Sequence, residues 1–206
     1  MTQEGATIYY SLKQVLNFEK VCSYLQELGL SIRNPDTQLI TGILANGGDF
    51  EDTSLKKAQA LFELKNFGFY LWLENGHIIF WSSVQQNNYY FHNFAFNSLD
   101  GDEIEQKASN IFIKFALQQL KADNRNFLGF TLDQFGNTEE YNFSEIFDSG
   151  NQEILSSDCI PELLFLPREK IQRITVDSKS QMIKINQNFD CIAKNQKLAD
   201  YLKSLL

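Results

Sequence analysis

The chain has 206 residues, 43 % of them hydrophobic, with 26 acids, 18 Lys or Arg and a net charge of −8. This composition excludes a disordered chain and predicts one globular unit, or two closely packed lobes, with a sizeable core. The acidic balance argues against a nucleic-acid binder or an anionic-membrane binder, because both functions need clustered Lys and Arg.

The first third of the chain predicts a β-α-β arrangement. Residues 6–12 alternate in polarity and predict a strand, and residues 38–45 predict a second one. Residues 17–29 predict a helix, capped by Asn17 at its start and by Gly29 in a left-handed conformation at its end. Residues 54–66 fit a helix and a strand about equally, and we expect a short helix that turns into a strand.

An aromatic meander follows. Residues 67–84 form two β-rich runs joined by Glu74-Asn75-Gly76-His77, and the Asn-Gly pair predicts a type I′ turn. Residues 89–96 predict a third antiparallel strand. Because aromatic residues occupy both faces of the meander, one face must pack on a helix. The other face is either covered by the rest of the chain or open as a binding surface.

A long helix is predicted over residues 101–122. Asp100 and Glu103 have capping-box spacing, and acids fill the first turn, where the helix dipole favours them. Apolar residues cover more than one face of this segment, so we expect other elements to cover the helix on two sides.

The remainder of the chain predicts short β-rich units and a final helix. Residues 138–143 read as a returning strand or, alternatively, as the start of a helix, and residues 144–160 are polar and loop-like. Asn195 caps a terminal amphipathic helix. Four segments are expected to be extended, the last two as a hairpin: 127–132, 161–167, 171–177 and 181–187.

Together these elements predict an α+β fold with a mostly antiparallel sheet packed on the long central helix. We expect an N-terminal α+β lobe over residues 1–125. A smaller β-rich lobe over residues 126–206 would end in a helix and pack on the first, so that the two form one compact unit.

Charge is distributed unevenly along the chain. Residues 126–167 hold eight acids and no Lys or Arg, residues 1–125 have a net charge of −4, and residues 168–206 have a net charge of +4. Acids interleaved with aromatic residues suit a tight interface with a basic protein. The alternative is a solvated loop whose charge the basic C-terminal block balances. The residues predicted to bind the partner are Asp133, Phe135, Glu139, Glu140, Tyr141, Glu145, Phe147 and Asp148.

No pattern in the sequence predicts a catalytic residue, a metal site or a cofactor. His77 and His92 lack partners at metal-ligand spacing, and the three cysteines are widely spaced. The odd cysteine count favours reduced thiols in a cytoplasmic protein, and the N-terminus does not resemble a signal peptide.

Three functions follow as expectations. In size, acidity and lack of catalytic motifs the chain is similar to bacterial immunity proteins as a class, so we expect an inhibitor that occludes a basic toxin or nuclease. The first alternative is a small-molecule-binding protein or enzyme, with His77, His92 and Cys159 around a pocket between the meander and the C-terminal lobe. The second is a structural or adaptor subunit that self-associates through the aromatic sheet.

Overall fold

The protein has an α+β fold, as the sequence predicts, built on one mostly antiparallel sheet. The computed structural model describes residues 5–43, 50–74, 76–86, 88–96, 99, 101–133, 160–172, 174 and 179–206. The strands are β1 (Gly5–Ser11), β2 (Leu30–Ser31), β3 (Ile40–Ile43), β4 (Phe50–Thr53), β5 (Phe67–Leu73), β6 (Ile78–Gln85), β7 (Tyr89–Ala95), β8 (Phe127–Asp133), β9 (Leu163–Pro167), β10 (Gln181–Lys184) and β11 (Phe189–Ala193). The helices are α1 (Phe18–Glu27), α2 (Leu55–Glu63), α3 (Asp102–Ala122), α4 (Arg168–Ile171) and α5 (Gln196–Leu205).

The first strand lies in the middle of the sheet. The strand order is β10-β11-β9-β8-β1-β7-β6-β5-β3-β4, and β2 pairs with β5. In β1, Ile8 pairs with His92 of β7 on one side and with Phe130 of β8 on the other. Strands from the two halves of the chain are therefore joined through β1 in a continuous sheet.

One face of the sheet carries the larger core, and helices cover it. The ring centroid of Phe112 in α3 lies 4.3 Å from that of Phe94 in β7. Three consecutive residues of α3, Ile111, Phe112 and Ile113, are buried. Since consecutive helical residues point about 100° apart, α3 is covered on more than one side, as its apolar pattern predicts.

The opposite face is divided into a covered part and a partly open part. Around β1, β8, β9 and β11, a second cluster includes Tyr9, Leu164 and Ile192, and Ile160 and Ile171 pack into it from outside the sheet. On the meander, Tyr70, Trp72 and Phe80 are only partly buried. The ring of Phe50 stacks on that of Tyr70 with 4.2 Å between centroids.

Two helix caps are confirmed and one is wrong. The side chains of Asn17 and Asn195 accept hydrogen bonds from the backbone N–H groups three residues later, at 2.9 Å and 3.0 Å. The N-cap of α3 is Gly101, whose φ of +102° suits glycine, and no side chain caps this helix. The predicted capping box fails because a residue without a side chain occupies the capping position.

The turn between β5 and β6 differs from the type I′ prediction. The Leu73 N–H donates to the His77 carbonyl at 2.8 Å, and the Gly76 N–H donates to the Leu73 carbonyl at 3.2 Å. This pattern defines a three-residue loop, and the positive φ of Gly76 (+83°) is the conformation that such a loop requires at its third residue.

The predicted hairpin of residues 171–177 and 181–187 falls in part on residues 173 and 175–178, which lie outside the described residues. Strand β10 pairs with β11, with Ile183 opposite Cys191, and residues 168–171 form a helical turn. The reversal occurs at Asn186, whose side-chain oxygen accepts from the N–H groups of Asn188 and Phe189 at 2.7 Å and 2.9 Å. This Asx-type turn closes the β10–β11 hairpin.

Candidate functional site

Of the eight residues predicted to bind a partner, Asp133 is the one that the structure describes. It ends β8, is 3 % exposed and pairs with Gly5 of β1. The other seven lie within residues 134–159, outside the described residues: Phe135, Glu139, Glu140, Tyr141, Glu145, Phe147 and Asp148. We call residues 134–159 the acidic segment.

Both ends of the acidic segment are fixed by one strand pair. Strands β8 and β9 are antiparallel neighbours, and Leu132 pairs with Leu163. The described residues that flank the segment therefore lie at the same end of these two strands. The segment contains six acids and no Lys or Arg, so it carries −6 of the net −8.

Three basic side chains of the C-terminal block contact acids outside the segment. Arg168 donates two hydrogen bonds to the carboxylate of Asp190, at 2.8 Å and 2.9 Å, and these bonds raise the pKa of Arg168. Lys194 lies 3.8 Å from buried Glu162, and Lys203 lies 3.9 Å from Asp200.

A second candidate site is a cavity of about 260 Å³ at the opposite end of β1. Its walls come from the loop between β1 and α1, from the C-terminal end of α2 and from β7. The polar side chains that line it are Gln14, Glu63, Lys65, Tyr90 and His92, and the apolar ones are Val15, Leu16 and Phe62.

His92 lies at the base of this cavity and is 1 % exposed. Its Nδ1 atom has no hydrogen-bond partner among the described residues. Burial and the nearby charge of Lys65 lower the pKa of His92 to about 3, so the ring is neutral near neutral pH. Five aromatic rings surround it at 5.3–5.6 Å between centroids: Tyr10, Phe62, Phe67, Trp81 and Tyr90.

Lys65 is held over the cavity in an unusual backbone conformation. Its φ is +54°, in the left-handed region that side chains other than glycine rarely adopt. Its Nζ donates to the Leu12 carbonyl at 2.7 Å and lies 4.3 Å from the centroid of the Tyr90 ring. Burial lowers the pKa of Lys65. The side-chain contacts join the end of α2 to the β1–α1 loop and to β7.

Two further buried polar atoms beside the cavity have no partner among the described residues, the Oε1 of Gln14 and the Oη of Tyr10. The Tyr10 ring stacks on that of Tyr90 at 5.3 Å, directly behind the cavity wall. Leaving a buried donor or acceptor unsatisfied costs about 1–3 kcal/mol. Three of the six buried side-chain atoms that have no partner among the described residues lie in or beside this cavity.

The structure does not bring together the residues proposed for a pocket between the lobes. His92 pairs with Ser83, six positions from His77 at the far end of β6, roughly 20 Å along the strand. Cys159 lies outside the described residues. Burial raises the pKa of Cys22 to about 12 and that of Cys191 well above its usual value. The cavity around His92 lies entirely within residues 1–125.

Among the described residues, no helix has the length and apolar character needed to span a bilayer. Within the same ranges, no three His, Cys, Asp or Glu side chains are grouped so that they could hold a metal ion. Comparison with known proteins finds no matching family model, no matching curated protein and no matching solved structure.

Proposed function

We propose that the protein is an acidic inhibitor of the immunity type, which binds a basic protein partner and occludes its working surface. The observation that carries this proposal is the acidic segment, with a charge of −6, inserted between two strands that are direct neighbours in the sheet. A basic toxin or nuclease, whose substrate is itself anionic, presents the complementary charge.

The two ends of the segment support this role. Asp133 is buried at one end, and Glu162, also buried, lies beyond the other end near Lys194. These two acids belong to the fold, and we propose that acids of the segment between them contact the partner. Concentrated negative charge speeds the encounter with a basic surface and disfavours acidic competitors.

Aromatic residues within the segment would supply the affinity that charge alone does not. Phe135, Tyr141 and Phe147 are interleaved with the acids. Interface energy is concentrated in a few buried aromatic or Arg anchors, and charged rims contribute mainly to rate and specificity. In the proposed complex these rings fill pockets on the partner, and the acids surround them.

Affinity capture with matched variants tests the proposal. The tagged chain is compared with the variant E139K/E140K/E145K/D148K and with a control that reverses four exposed acids elsewhere, Glu19, Glu27, Asp36 and Glu103. Both variants change the net charge equally, so a difference between them reports on location. Circular dichroism and thermal unfolding check that each variant is folded.

The expected result is one basic protein, retained in stoichiometric amount by the wild type and by the control. The segment variant should lose at least about 100-fold in affinity, since four charge reversals cost well over 2.7 kcal/mol at a charged interface. Equal retention by both variants, or the retention of no basic protein, would overturn the proposal.

A further inference from the structure

The cavity at His92 lies at the other end of β1 from Asp133, the residue that precedes the acidic segment. Asp133, which precedes the segment, pairs with Gly5 at the start of β1, whereas the cavity lies beyond Tyr10, roughly 17 Å along the same strand. Nothing in the inhibitor proposal uses the cavity. Its unsatisfied polar atoms therefore call for a separate explanation.

The electrostatics of the cavity favour an anionic group. An ammonium has three donors, and the Leu12 carbonyl takes one from Lys65. Among the described residues, no carboxylate oxygen lies within 4.0 Å of the Lys65 Nζ. Glu63 also lines the cavity, but it is exposed and its Oε1 accepts from Gln59 at 3.3 Å. A ligand carboxylate could thus accept the remaining Lys65 donors at the mouth.

The walls favour a single flat ring. Phe62 and Tyr90 line the cavity as aromatic surfaces, and Leu16 adds an aliphatic one. The volume of about 260 Å³ lies just below the range of drug-sized pockets, about 300–1,000 Å³. Deeper in, the Oε1 of Gln14 accepts hydrogen bonds only, and neutral His92 can either donate or accept one.

We propose that this cavity binds a small aromatic carboxylic acid that carries a hydrogen-bond donor on its ring. The carboxylate accepts from the Lys65 ammonium, the ring packs between Phe62 and Tyr90, and the ligand's donor reaches Gln14 or His92. Such a ligand would give a hydrogen-bond partner to the Oε1 of Gln14 or to the Nδ1 of His92, which have none among the described residues. It would also stabilise the left-handed backbone at Lys65, because the ammonium gains a second partner.

Two probes of the same shape test this inference, para-hydroxybenzoate and the uncharged para-hydroxybenzamide. Amide NMR spectra of the full chain are recorded during titration with each probe. We expect saturable shifts confined to the cavity residues. The acid should bind about tenfold or more tightly than the amide, the ratio that one charge-assisted hydrogen bond supplies.

Three variants test which residues are responsible for the tighter binding of the acid. Lys65→Met should abolish the preference for the acid, and Glu63→Gln should tighten binding of the acid because it removes a like charge. As a control, Lys57→Met removes a lysine of α2 whose ammonium lies 3.7 Å from the carboxylate of Glu51. This variant should bind the acid and the amide as tightly as the wild type does.

The inference is overturned if neither probe binds saturably, if the amide binds as tightly as the acid, or if Lys65→Met keeps the preference. If Lys65→Met does not fold, two other results test the inference. They are the preference of the wild type for the acid over the amide and the effect of Glu63→Gln on binding of the acid. None of these results depends on whether the acidic segment binds a partner.

Discussion

Among the places where polar side chains are buried, two differ in whether the buried polar atoms have hydrogen-bond partners. Near the C-terminal edge of the sheet, Asp190 is 9 % exposed and accepts two hydrogen bonds from Arg168. At the cavity beyond β1, His92, Gln14 and Tyr10 are more deeply buried, and each has a polar atom with no partner among the described residues.

We attribute the difference to a structural role of the Asp190 pair and to the ligand site that we propose at His92. Satisfied buried groups make a fold specific, whereas unsatisfied ones cost stability and persist where function needs them. The Asp190 pair fixes the α4 turn against β11. At the cavity, the Nδ1 of His92, the Oε1 of Gln14 and the Oη of Tyr10 have no hydrogen-bond partner among the described residues. The predictions below sharpen this contrast.

The largest expected effect is the pH dependence that His92 confers. An unfolded histidine titrates near pH 6.5, whereas the folded pKa of His92 is about 3. Between these values the unfolded chain binds a proton that the folded chain does not. Stability therefore falls with pH below 6.5, by about 1.4 kcal/mol per pH unit.

Urea unfolding of the wild type and of His92→Phe measures this contribution. The free energy of unfolding of the wild type should fall by about 3 kcal/mol more than that of the variant between about pH 7.5 and about pH 4.5. Parallel curves for the two proteins would show that His92 is not held neutral by the fold.

A smaller loss of stability is expected when the hydrogen-bonded carboxylate of Asp190 is removed. Asp190→Ala removes two charge-assisted hydrogen bonds and should lower the free energy of unfolding by about 2 kcal/mol. Asp200→Ala is the control, because Asp200 is exposed and faces Lys203 at 3.9 Å. The control should change stability by at most about 0.5 kcal/mol. Equal effects of the two substitutions would contradict the structural role of Asp190.

The smallest effects on stability are expected when the hydroxyl groups of two buried tyrosines are removed. The hydroxyl of one tyrosine is hydrogen-bonded and that of the other is not. The Oη of Tyr89 donates to the Oε1 of Gln86 at 2.6 Å, whereas the Oη of Tyr10 has no partner. Tyr89→Phe should destabilise the protein by about 1 kcal/mol, and Tyr10→Phe should leave stability unchanged or raise it slightly. A loss at Tyr10 equal to that at Tyr89 would mean that its hydroxyl is satisfied.

Local sequence patterns were sufficient to predict the elements that are determined by residues close together in the chain. The helix over 102–122 and the caps at Asn17 and Asn195 follow from periodicity and from side chains that bond their own backbone. Strands β2 and β4 and the α4 turn were missed because they are two to four residues long. Such short elements are determined by their neighbours in the sheet, and a sequence pattern does not show those neighbours.

The two candidate sites also differ in how much of each can be recognised from the sequence. The charge of the acidic segment is visible in the sequence because its acids lie in one stretch of the chain that has no Lys or Arg. The cavity combines Gln14, Lys65 and His92 from three separate segments, and only His92 was a candidate beforehand. The left-handed backbone of Lys65 has no signal in its own residue type, because a lysine favours no such conformation.

The most direct test of the partner proposal is the salt dependence of binding between the purified protein and the basic protein that it captures. The account predicts a one-to-one complex whose affinity falls steeply as ionic strength rises, because interacting exposed charges are screened. The slope should flatten in E139K/E140K/E145K/D148K and stay unchanged in the control with Glu19, Glu27, Asp36 and Glu103 reversed. An affinity that is insensitive to salt, or equal slopes in the two variants, would contradict it.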